Sequence, residues 1–194
     1  MSDAPPADLS REQGTRSLVG EGLRKIFDRL VFRSIRERFG GRMRYAVSGG
    51  AKLDRELAHF IDAIGLMVLE GYGLTETSPL VAVNLPDARR MGSVGRPVPG
   101  VEVEIRDVEE CVEECGEVCV RGPNVMQGYH HRPEATDEVL DDDGSLSTGD
   151  LGKLDDEGFL WILGRLKEQF KLRNGKFVVP APLEETLKLS VFID

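Results

Sequence analysis

The sequence predicts an α/β fold followed by a small unit of antiparallel strands. Three observations lead to this prediction. Helical and strand patterns alternate in the first part of the chain, short strands separated by glycine turns follow Pro86, and two prolines near the end precede a short amphipathic segment. The 194 residues are enough for one hydrophobic core, or for one domain and part of a second.

Four elements are predicted before Pro86. Apolar residues at three- and four-residue spacing predict a helix over residues 18–39, and apolar–polar alternation over residues 43–47 predicts a strand. Asp54 is the expected N-cap of a second helix, and the apolar run at 66–69 suits a buried parallel strand. The expected apolar stripe of the second helix consists of Leu57, Phe60, Ile61 and Ile64. Both strands end in glycine-containing loops, where ligands of open α/β sheets bind, so these loops are candidates for a binding site.

The region after Pro86 favours short strands. Alternating valine and isoleucine residues predict strands near 101–105 and 118–120, and two more are expected at 145–153 and 159–163. Pro133 suits the first position of a brief helix between them. Short strands joined by glycine turns are typical of a small antiparallel or barrel-like unit.

Charge and hydropathy exclude several classes of protein. The formal net charge is -9, which opposes nonspecific binding to the phosphate backbone of nucleic acid. No run of about 18 or more apolar residues is present, so no membrane-spanning helix is expected, and peripheral contact with a membrane stays open. The first residues lack the layout of a signal peptide. Three cysteines without such a peptide favour reduced thiols and a cytoplasmic location.

A cluster of basic residues lies near the end of the chain, where residues 164–176 contain a single acid, Glu168. The basic residues of this segment are Arg165, Lys167, Lys171, Arg173 and Lys176. In an acidic protein, such a local positive charge suits a phosphorylated ligand. A solvated pair of strands with a hairpin turn at Asn174 and Gly175 explains the same residues, and charge by itself leaves both interpretations open.

Residues 70–79, Glu-Gly-Tyr-Gly-Leu-Thr-Glu-Thr-Ser-Pro, combine groups that suit a nucleotide. The two glycines allow the backbone to approach a ligand closely, and Tyr72 offers a flat face for stacking. Thr75 offers a hydroxyl to a phosphate oxygen, and Glu76 offers a carboxylate to a hard cation such as magnesium. An ordinary loop that is rich in turn residues is the alternative.

A second candidate segment is Ser-Thr-Gly-Asp-Leu at 147–151. Its Asp150 could accept two hydrogen bonds from a ribose diol. It could equally cap a helix or hold a turn, and the segment considered by itself favours that second interpretation.

The order and spacing of these segments resemble the adenylate-forming family, which includes acyl-CoA synthetases, the adenylation domains of peptide synthetases and firefly luciferase. The matching segments are Gly49-Gly50-Ala51 and the stretches at 72–78, 92–97, 116–122, 147–150, 164–168 and 174–176. The resemblance covers residues 23–191. Within the family, the segment at 170–180 is most similar to long-chain fatty acid–CoA ligases, which disfavours an aryl-acid ligase.

The resemblance implies an activity. Members of the family activate a carboxylic acid with ATP, form an acyl-adenylate with release of pyrophosphate, and then transfer the acyl group to a thiol, usually coenzyme A. The chain would therefore use ATP or AMP, magnesium, coenzyme A as a co-substrate, and a long-chain fatty acid.

The resemblance also implies which residues form the site. The nucleotide-binding residues would be Gly49, Gly50, Ala51, Gly71, Tyr72, Gly73, Thr75, Asp150, Ile162 and Arg165. The first three would line the adenine and acyl side of the pocket, and Tyr72 would stack on the adenine between its two glycines. Asp150 would bind the ribose hydroxyls. Ile162 would pack beside the nucleoside, and Arg165 would reach the ribose or a phosphate.

The resemblance also implies catalytic residues, a hinge between domains and a loop for the thioester step. Thr75 would hold the α-phosphate and Glu76 would hold the magnesium ion, so both are candidate catalytic residues. Glu168 occupies the hinge position, where the family usually has Asp or Lys. Gly175 and Lys176 would belong to the loop that joins the site during thioester formation.

The family pattern divides the chain into four parts. These are a loose leader at 1–16, the C-terminal part of the α/β subdomain at 17–90, a small β-barrel-like subdomain at 91–166, and the start of a small C-terminal domain at 167–194. The glycine-rich phosphate loop of the family has no counterpart in residues 1–45, and its catalytic lysine would lie beyond Asp194.

The chain is therefore interpreted as a fragment of a fatty acid–CoA ligase, and its activity in isolation stays open. One alternative is a nonenzymatic nucleotide-binding or partner-complementing fragment of the same fold. An aryl-acid adenylating enzyme is the other. Because upstream strands would be missing from the sheet, self-association or a complementing chain is expected.

Overall fold

A computed structural model describes residues 31–51, 53–108, 115–172 and 177–188 of the chain. Its helices are α1 Arg33–Arg38, α2 Arg55–Ala63, α3 Pro133–Asp137 and α4 Pro180–Lys188. Its strands are β1 Tyr45–Ser48, β2 Met67–Tyr72, β3 Ala82–Val83, β4 Arg96–Pro97, β5 Glu102–Asp107, β6 Gly116–Arg121, β7 Leu146–Leu154, β8 Leu160–Arg165, β9 Phe170–Lys171 and β10 Phe177–Val178.

The chain divides into two units. The first combines Met1–Ala46 with His59–Met67, and the second combines Val47–Ala58 with Val68–Asp194. The predicted leader at 1–16 lies outside the described residues. The four domain boundaries inferred from the sequence stay predictions.

The first sheet is mixed and has the strand order β1-β2-β3-β4. Helix α2 lies between β1 and β2 in the chain, whereas β2 pairs antiparallel with β3 and β3 with β4. Tyr72 at the end of β2 is opposite Ala82, which in turn is opposite Pro97. This arrangement confirms the predicted α/β class with a mixed sheet.

Local signals explain where α1 and α2 begin or end. Gly40 and Gly41 have φ angles of 82° and 68°, a left-handed conformation that glycine adopts at low cost. The N–H of Gly41 donates to the carbonyl of Arg36 at 2.9 Å, which closes α1. At the start of α2, the N–H of Leu57 donates to Oδ1 of Asp54 at 2.7 Å. Asp54 is therefore the N-cap that the sequence predicted.

The apolar stripe predicted for α2 is only partly buried. Ile64 is buried, but 47% of Leu57 and 54% of Phe60 are exposed. Leu57 and Phe60 belong to the predicted stripe, but the described part of the chain leaves about half of each side chain exposed. Periodicity identifies which residues share a helix face, whereas burial depends on what packs against that face.

The second sheet is antiparallel and has the order β5-β6-β7-β8. The strands predicted near 101–105 and 118–120 pair with each other here, with Val103 opposite Val120 and Ile105 opposite Val118. The core formed here consists of Val81, Ala82, Val101, Val118, Val120 and Leu160. Burial of each large apolar side chain contributes about 1.5–3 kcal/mol, so this core joins β3 to β6 and β8. Tyr72 at the end of β2 and Leu154 of β7 pack against it.

The last described part of the chain contains a strand pair and a helix. Phe170 in β9 is opposite Val178 in β10, as the strand-pair interpretation of the basic segment expected, and the turn expected at Asn174 and Gly175 lies outside the described residues. Helix α4 follows directly. A Cβ at Gly164 would overlap the side chain of Val179, so glycine allows this segment to pack closely against β8.

The cysteines differ from the expectation of reduced thiols. Cys119 is free and buried, but Cys115 is disulfide-bonded, so the expectation is wrong for Cys115. Among the helices that the structure describes, none has the length and apolar character needed to cross a bilayer.

Candidate functional site

A cavity of about 500 Å³ lies within the second unit, at the ends of β1 and β2 and beside β7 and β8. Its lining includes the predicted residues Gly50, Ala51, Gly71, Tyr72, Gly73, Asp150, Ile162, Arg165 and Glu168. This volume lies in the range of small-molecule sites. Segments that are far apart in the sequence thus converge on one concave surface.

Some predicted residues lie elsewhere. Gly49 is absent from the lining, although Ser48 and Gly50 on either side of it contribute. Thr75 and Glu76 lie in a single 3-10 turn that follows the lining residue Leu74. Gly175 and Lys176 lie outside the described residues. The ligand-binding roles of all these residues stay predictions.

Asp150 is the central polar group of the cavity. It lies inside β7, where it is opposite Arg165 of β8, and it is 5% exposed. The hydroxyl of Tyr72 donates to Oδ2 of Asp150 at 2.6 Å, and Nε of Arg165 lies 2.8 Å from Oδ1. The interpretation of Asp150 as a helix cap is therefore wrong. Strand register places the acid opposite the arginine.

The electrostatics of this trio follow from burial. Burial is the main cause that raises the pKa of Asp150, and the Tyr72 hydrogen bond and the Arg165 charge act in the opposite direction. Burial also raises the pKa of Tyr72, and the charge of Asp150 raises it further, so Tyr72 is a neutral donor. A carboxylate has about four acceptor positions. Two of them are used here, so Asp150 can accept further hydrogen bonds from a diol.

The loop after β2 has a fixed backbone. The N–H of Leu74 donates to Oγ1 of Thr77 at 2.9 Å, and Thr77 is fully buried. A Cβ at Gly73 would overlap the carbonyl group of Pro79, so the loop can close on itself only with glycine at this position. The consequence is a rigid support for Thr75 and Glu76.

Glu76 is held by a segment that the sequence did not single out. Its carbonyl accepts the N–H of Met126 at 2.8 Å, and its Oε1 accepts the hydroxyl of Tyr129 at 2.8 Å. This hydrogen bond is the main cause that raises the pKa of Tyr129, with burial and the Glu76 charge adding to it. Oε2 of Glu76 accepts no hydrogen bond from the described residues.

Glu76 suits a limited role in binding a metal ion. Across the described ranges, no three His, Cys, Asp or Glu side chains converge on one point. Magnesium in nucleotide sites is commonly held by one or two carboxylates together with phosphate oxygens. One carboxylate with an open oxygen atom fits that donor set.

Other lining residues were missed by the sequence analysis. Glu70 is 7% exposed, lines the cavity and accepts the N–H of Gly92 at 3.3 Å through Oε2. Asn84 supports the same region, since its side-chain amide donates to Ser93 at 2.7 Å and its Oδ1 accepts the N–H of Arg90 at 2.9 Å. The sequence did contain a signal for Glu70, because this residue directly precedes the glycine loop that was singled out as a candidate site. No local pattern pointed to Asn84.

Comparisons with known proteins identify the family. The model of the AMP-binding enzyme family matches residues 12–130. Long-chain-fatty-acid–CoA ligase FadD15 of Mycobacterium bovis is 44% identical over 91% of this chain and 28% of its own length. Long-chain-fatty-acid–CoA ligase 1 of Homo sapiens is 41% identical over 82% of this chain and 24% of its own. The structure of O-succinylbenzoate coenzyme A synthetase from Bacillus subtilis, in complex with ATP and magnesium ion, is 36% identical with a TM-score of 0.66. The alignment covers 74% of this chain and 31% of the synthetase chain.

The chain belongs to the AMP-binding enzyme family, as the ordered segments predicted. It spans 28% and 24% of the length of the two fatty acid–CoA ligases. The likeness to an ATP-bound structure supports use of ATP or AMP in this family.

Proposed function

We propose that this chain supplies the nucleoside side of the pocket of an ATP-dependent fatty acid–CoA ligase. In the complete reaction, a carboxylate attacks the α-phosphate of ATP, forming an acyl-adenylate and releasing pyrophosphate. The thiol of coenzyme A then attacks the acyl carbon, forming a thioester and releasing AMP. The observation that carries the proposal is the buried Asp150 carboxylate, which lies with Tyr72 and Arg165 in a cavity of about 500 Å³.

The cavity residues suit the parts of adenosine monophosphate. The ring of Tyr72 offers a face to the adenine, and such base–aromatic stacking contributes about 1–3 kcal/mol. Asp150 accepts hydrogen bonds from the ribose hydroxyls while its two protein donors hold it in place. Arg165, about half exposed at the cavity, supplies positive charge near the phosphate. Thr75 offers its hydroxyl to the same phosphate.

The charge on the reacting phosphates needs further compensation. Glu76 would hold magnesium together with phosphate oxygens, and the bound ion would offset the charge on pyrophosphate as it leaves. Glu168, at the end of the 3-10 turn Leu166–Glu168 and on the cavity wall, is the proposed hinge. Gly175 and Lys176 would contribute to the thioester step. A cytoplasmic location belongs to the proposal as well.

Two alternatives have their own support. The O-succinylbenzoate ligase among the structural relatives favours an aromatic acid as substrate, whereas the sequence relatives that cover 91% and 82% of this chain are long-chain fatty acid ligases. A partner-complementing fragment is favoured by β1, which is the end strand among the described strands of its sheet and carries the exposed side chains of Tyr45 and Val47. We favour the fatty acid ligase because the sequence relatives agree on it.

Titration of the chain with AMP by calorimetry tests the pocket. Asp150→Asn should weaken AMP binding about tenfold or more, because hydrogen bonds to a charged group contribute about 1.5–3 kcal/mol. The matched control is Asp156→Asn, which changes an exposed aspartate in the turn after β7 and should bind AMP like the parent. Equal affinities of parent and Asp150→Asn would refute the assignment of Asp150.

Release of pyrophosphate separates the two classes of acid substrate. The chain is incubated with ATP, magnesium and coenzyme A, with palmitate in one reaction and benzoate in another. Release that depends on palmitate supports the fatty acid ligase, and release that depends on benzoate supports the aryl-acid alternative. AMP binding without release in either reaction indicates that the chain binds the nucleotide but needs further residues of a ligase for turnover.

A further inference from the structure

We propose that Tyr129 is a positioning residue that orients the carboxylate of Glu76, and that the segment from Asn124 to Tyr129 holds the loop that carries it. This inference rests on the proposed function, since it assigns a task to the residue next to the proposed metal ligand. Its starting observation is the hydrogen bond from the Tyr129 hydroxyl to Oε1 of Glu76, at 2.8 Å.

The same segment holds the loop at three further points. The N–H of Met126 donates to the carbonyl of Glu76 at 2.8 Å. The side-chain amide of Asn124 donates to the carbonyls of Thr77 at 3.1 Å and Leu80 at 2.8 Å. One short stretch of chain thus fixes the backbone of the loop on both sides of Ser78 and also fixes the Glu76 side chain.

Tyr129 is itself held from the other side. Its N–H donates to Oγ1 of Thr136 in α3 at 2.9 Å. Gly128 has a φ of 138°, and a Cβ there would meet the Thr136 side chain, so glycine allows this close contact. A chain of contacts therefore runs from α3 through Tyr129 to the Glu76 carboxylate.

The physical effect is preorganisation of one carboxylate oxygen. A half-buried glutamate has several rotatable bonds and would otherwise sample many positions. Tyr129 engages Oε1, while Oε2 is open among the described contacts and can face a cation. A single hydrogen bond of this kind changes an equilibrium by about three- to tenfold.

The test uses the full chain and two probes, AMP without metal and ATP with Mn²⁺. Binding of AMP is measured by calorimetry, and binding of Mn²⁺ is followed by the electron paramagnetic resonance signal of the free ion. Tyr129→Phe should weaken Mn²⁺ binding about three- to tenfold and change AMP affinity less than about twofold. Tyr45→Phe, which removes an exposed tyrosine hydroxyl in β1, is the matched control and should leave both affinities unchanged.

Glu76→Gln completes the design. If Tyr129 acts through Glu76, adding Tyr129→Phe to Glu76→Gln should cause no further loss of Mn²⁺ affinity, because effects within one contact are not additive. Equal Mn²⁺ affinity in parent and Tyr129→Phe would overturn the inference. The inference would also be overturned if Tyr129→Phe lost affinity for AMP and for Mn²⁺ equally, or if its melting temperature fell by a large amount. Either result indicates a purely structural role for Tyr129.

Failure of the proposed function gives a different pattern. A parent chain that does not bind AMP refutes the nucleotide pocket, and the inference falls with it. A parent that binds AMP but keeps its Mn²⁺ affinity after Glu76→Gln retains the pocket and refutes the metal role, which also overturns the inference. The two failures are therefore distinguishable.

Discussion

Replacement of Tyr72 by phenylalanine separates two tasks of one side chain. The change removes the hydroxyl that donates to Oδ2 of Asp150 at 2.6 Å and keeps the ring. Asp150 is 5% exposed, so water has little access to replace the lost donor. Arg165 still pairs with Oδ1, which limits the loss to one hydrogen bond of two.

The expected cost follows from that geometry. A hydrogen bond to a charged group contributes about 1.5–3 kcal/mol, so Tyr72→Phe should lower the free energy of unfolding by about that amount. For a chain of this size, each kcal/mol corresponds to about 2–4 °C in melting temperature. Because the Tyr72 hydrogen bond lowers the pKa of Asp150, its removal should raise that pKa further. The loss should therefore be largest at a pH where the carboxyl is ionised, and smaller in acid.

A double-mutant cycle measured by urea unfolding isolates the contact. Tyr72→Phe, Asp150→Asn and the double variant are compared with the parent at neutral pH, with Tyr45→Phe as the control for loss of a tyrosine hydroxyl. We expect a coupling energy of about 1 kcal/mol or more between positions 72 and 150. In parallel, AMP should bind Tyr72→Phe better than Tyr72→Ala, since the phenylalanine ring can still stack.

Additivity would refute this reasoning. If the two single changes sum to the double change within about 0.5 kcal/mol, the hydroxyl and the carboxylate do not depend on each other. Equal AMP affinity of the phenylalanine and alanine variants would separately refute stacking by Tyr72.

Two further predictions concern the surface of the second unit and the β1 strand. Burial raises the pKa of Asp155, but hydrogen bonds from Trp161, the Phe159 N–H, Arg90 and the Glu157 N–H outweigh it and lower the pKa to about 2. Since the folded pKa lies below the unfolded value, this stabilisation is complete above about pH 4 and is lost as pH falls through about 2. Asp155→Asn should therefore lower the free energy of unfolding by about 1 kcal/mol at pH 7 and have little effect near pH 2, as urea unfolding at both pH values will measure. Val47 is 75% exposed on β1, the end strand among those described, and should drive self-association, so Val47→Lys should shift sedimentation towards the monomer. Parent and variant with the same sedimentation profile would contradict that role.

Much of the local structure was predictable because its causes are local. Asp54 caps α2 through a residue three positions later, and Pro133 begins α3. Gly40 and Gly41 end α1 because they adopt a left-handed backbone readily. Each of these signals depends on a few neighbouring residues, so the amino-acid pattern suffices to identify it.

The candidate site was predictable as a set of segments but not as a geometry. The ordered glycine and acidic segments indicated the family, and the family implied Tyr72, Asp150 and Arg165 as pocket residues. Neither the ordered segments nor the family pattern indicated that the Tyr72 hydroxyl and the Arg165 guanidinium each contact one oxygen of the Asp150 carboxylate. Tyr72 and Asp150 are 78 positions apart in the sequence, which is far more than any local rule spans.

The sequence by itself determined the class of fold, the family and several segments that line the candidate site, because these depend on periodicity, turn residues and the order of short patterns. The tertiary structure alone decided that Asp150 lies within a strand opposite Arg165, that Leu57 and Phe60 are exposed, and that Tyr129 contacts Glu76. Those outcomes depend on strand register and on which surfaces meet. Register and packing are settled by the whole core rather than by any short segment.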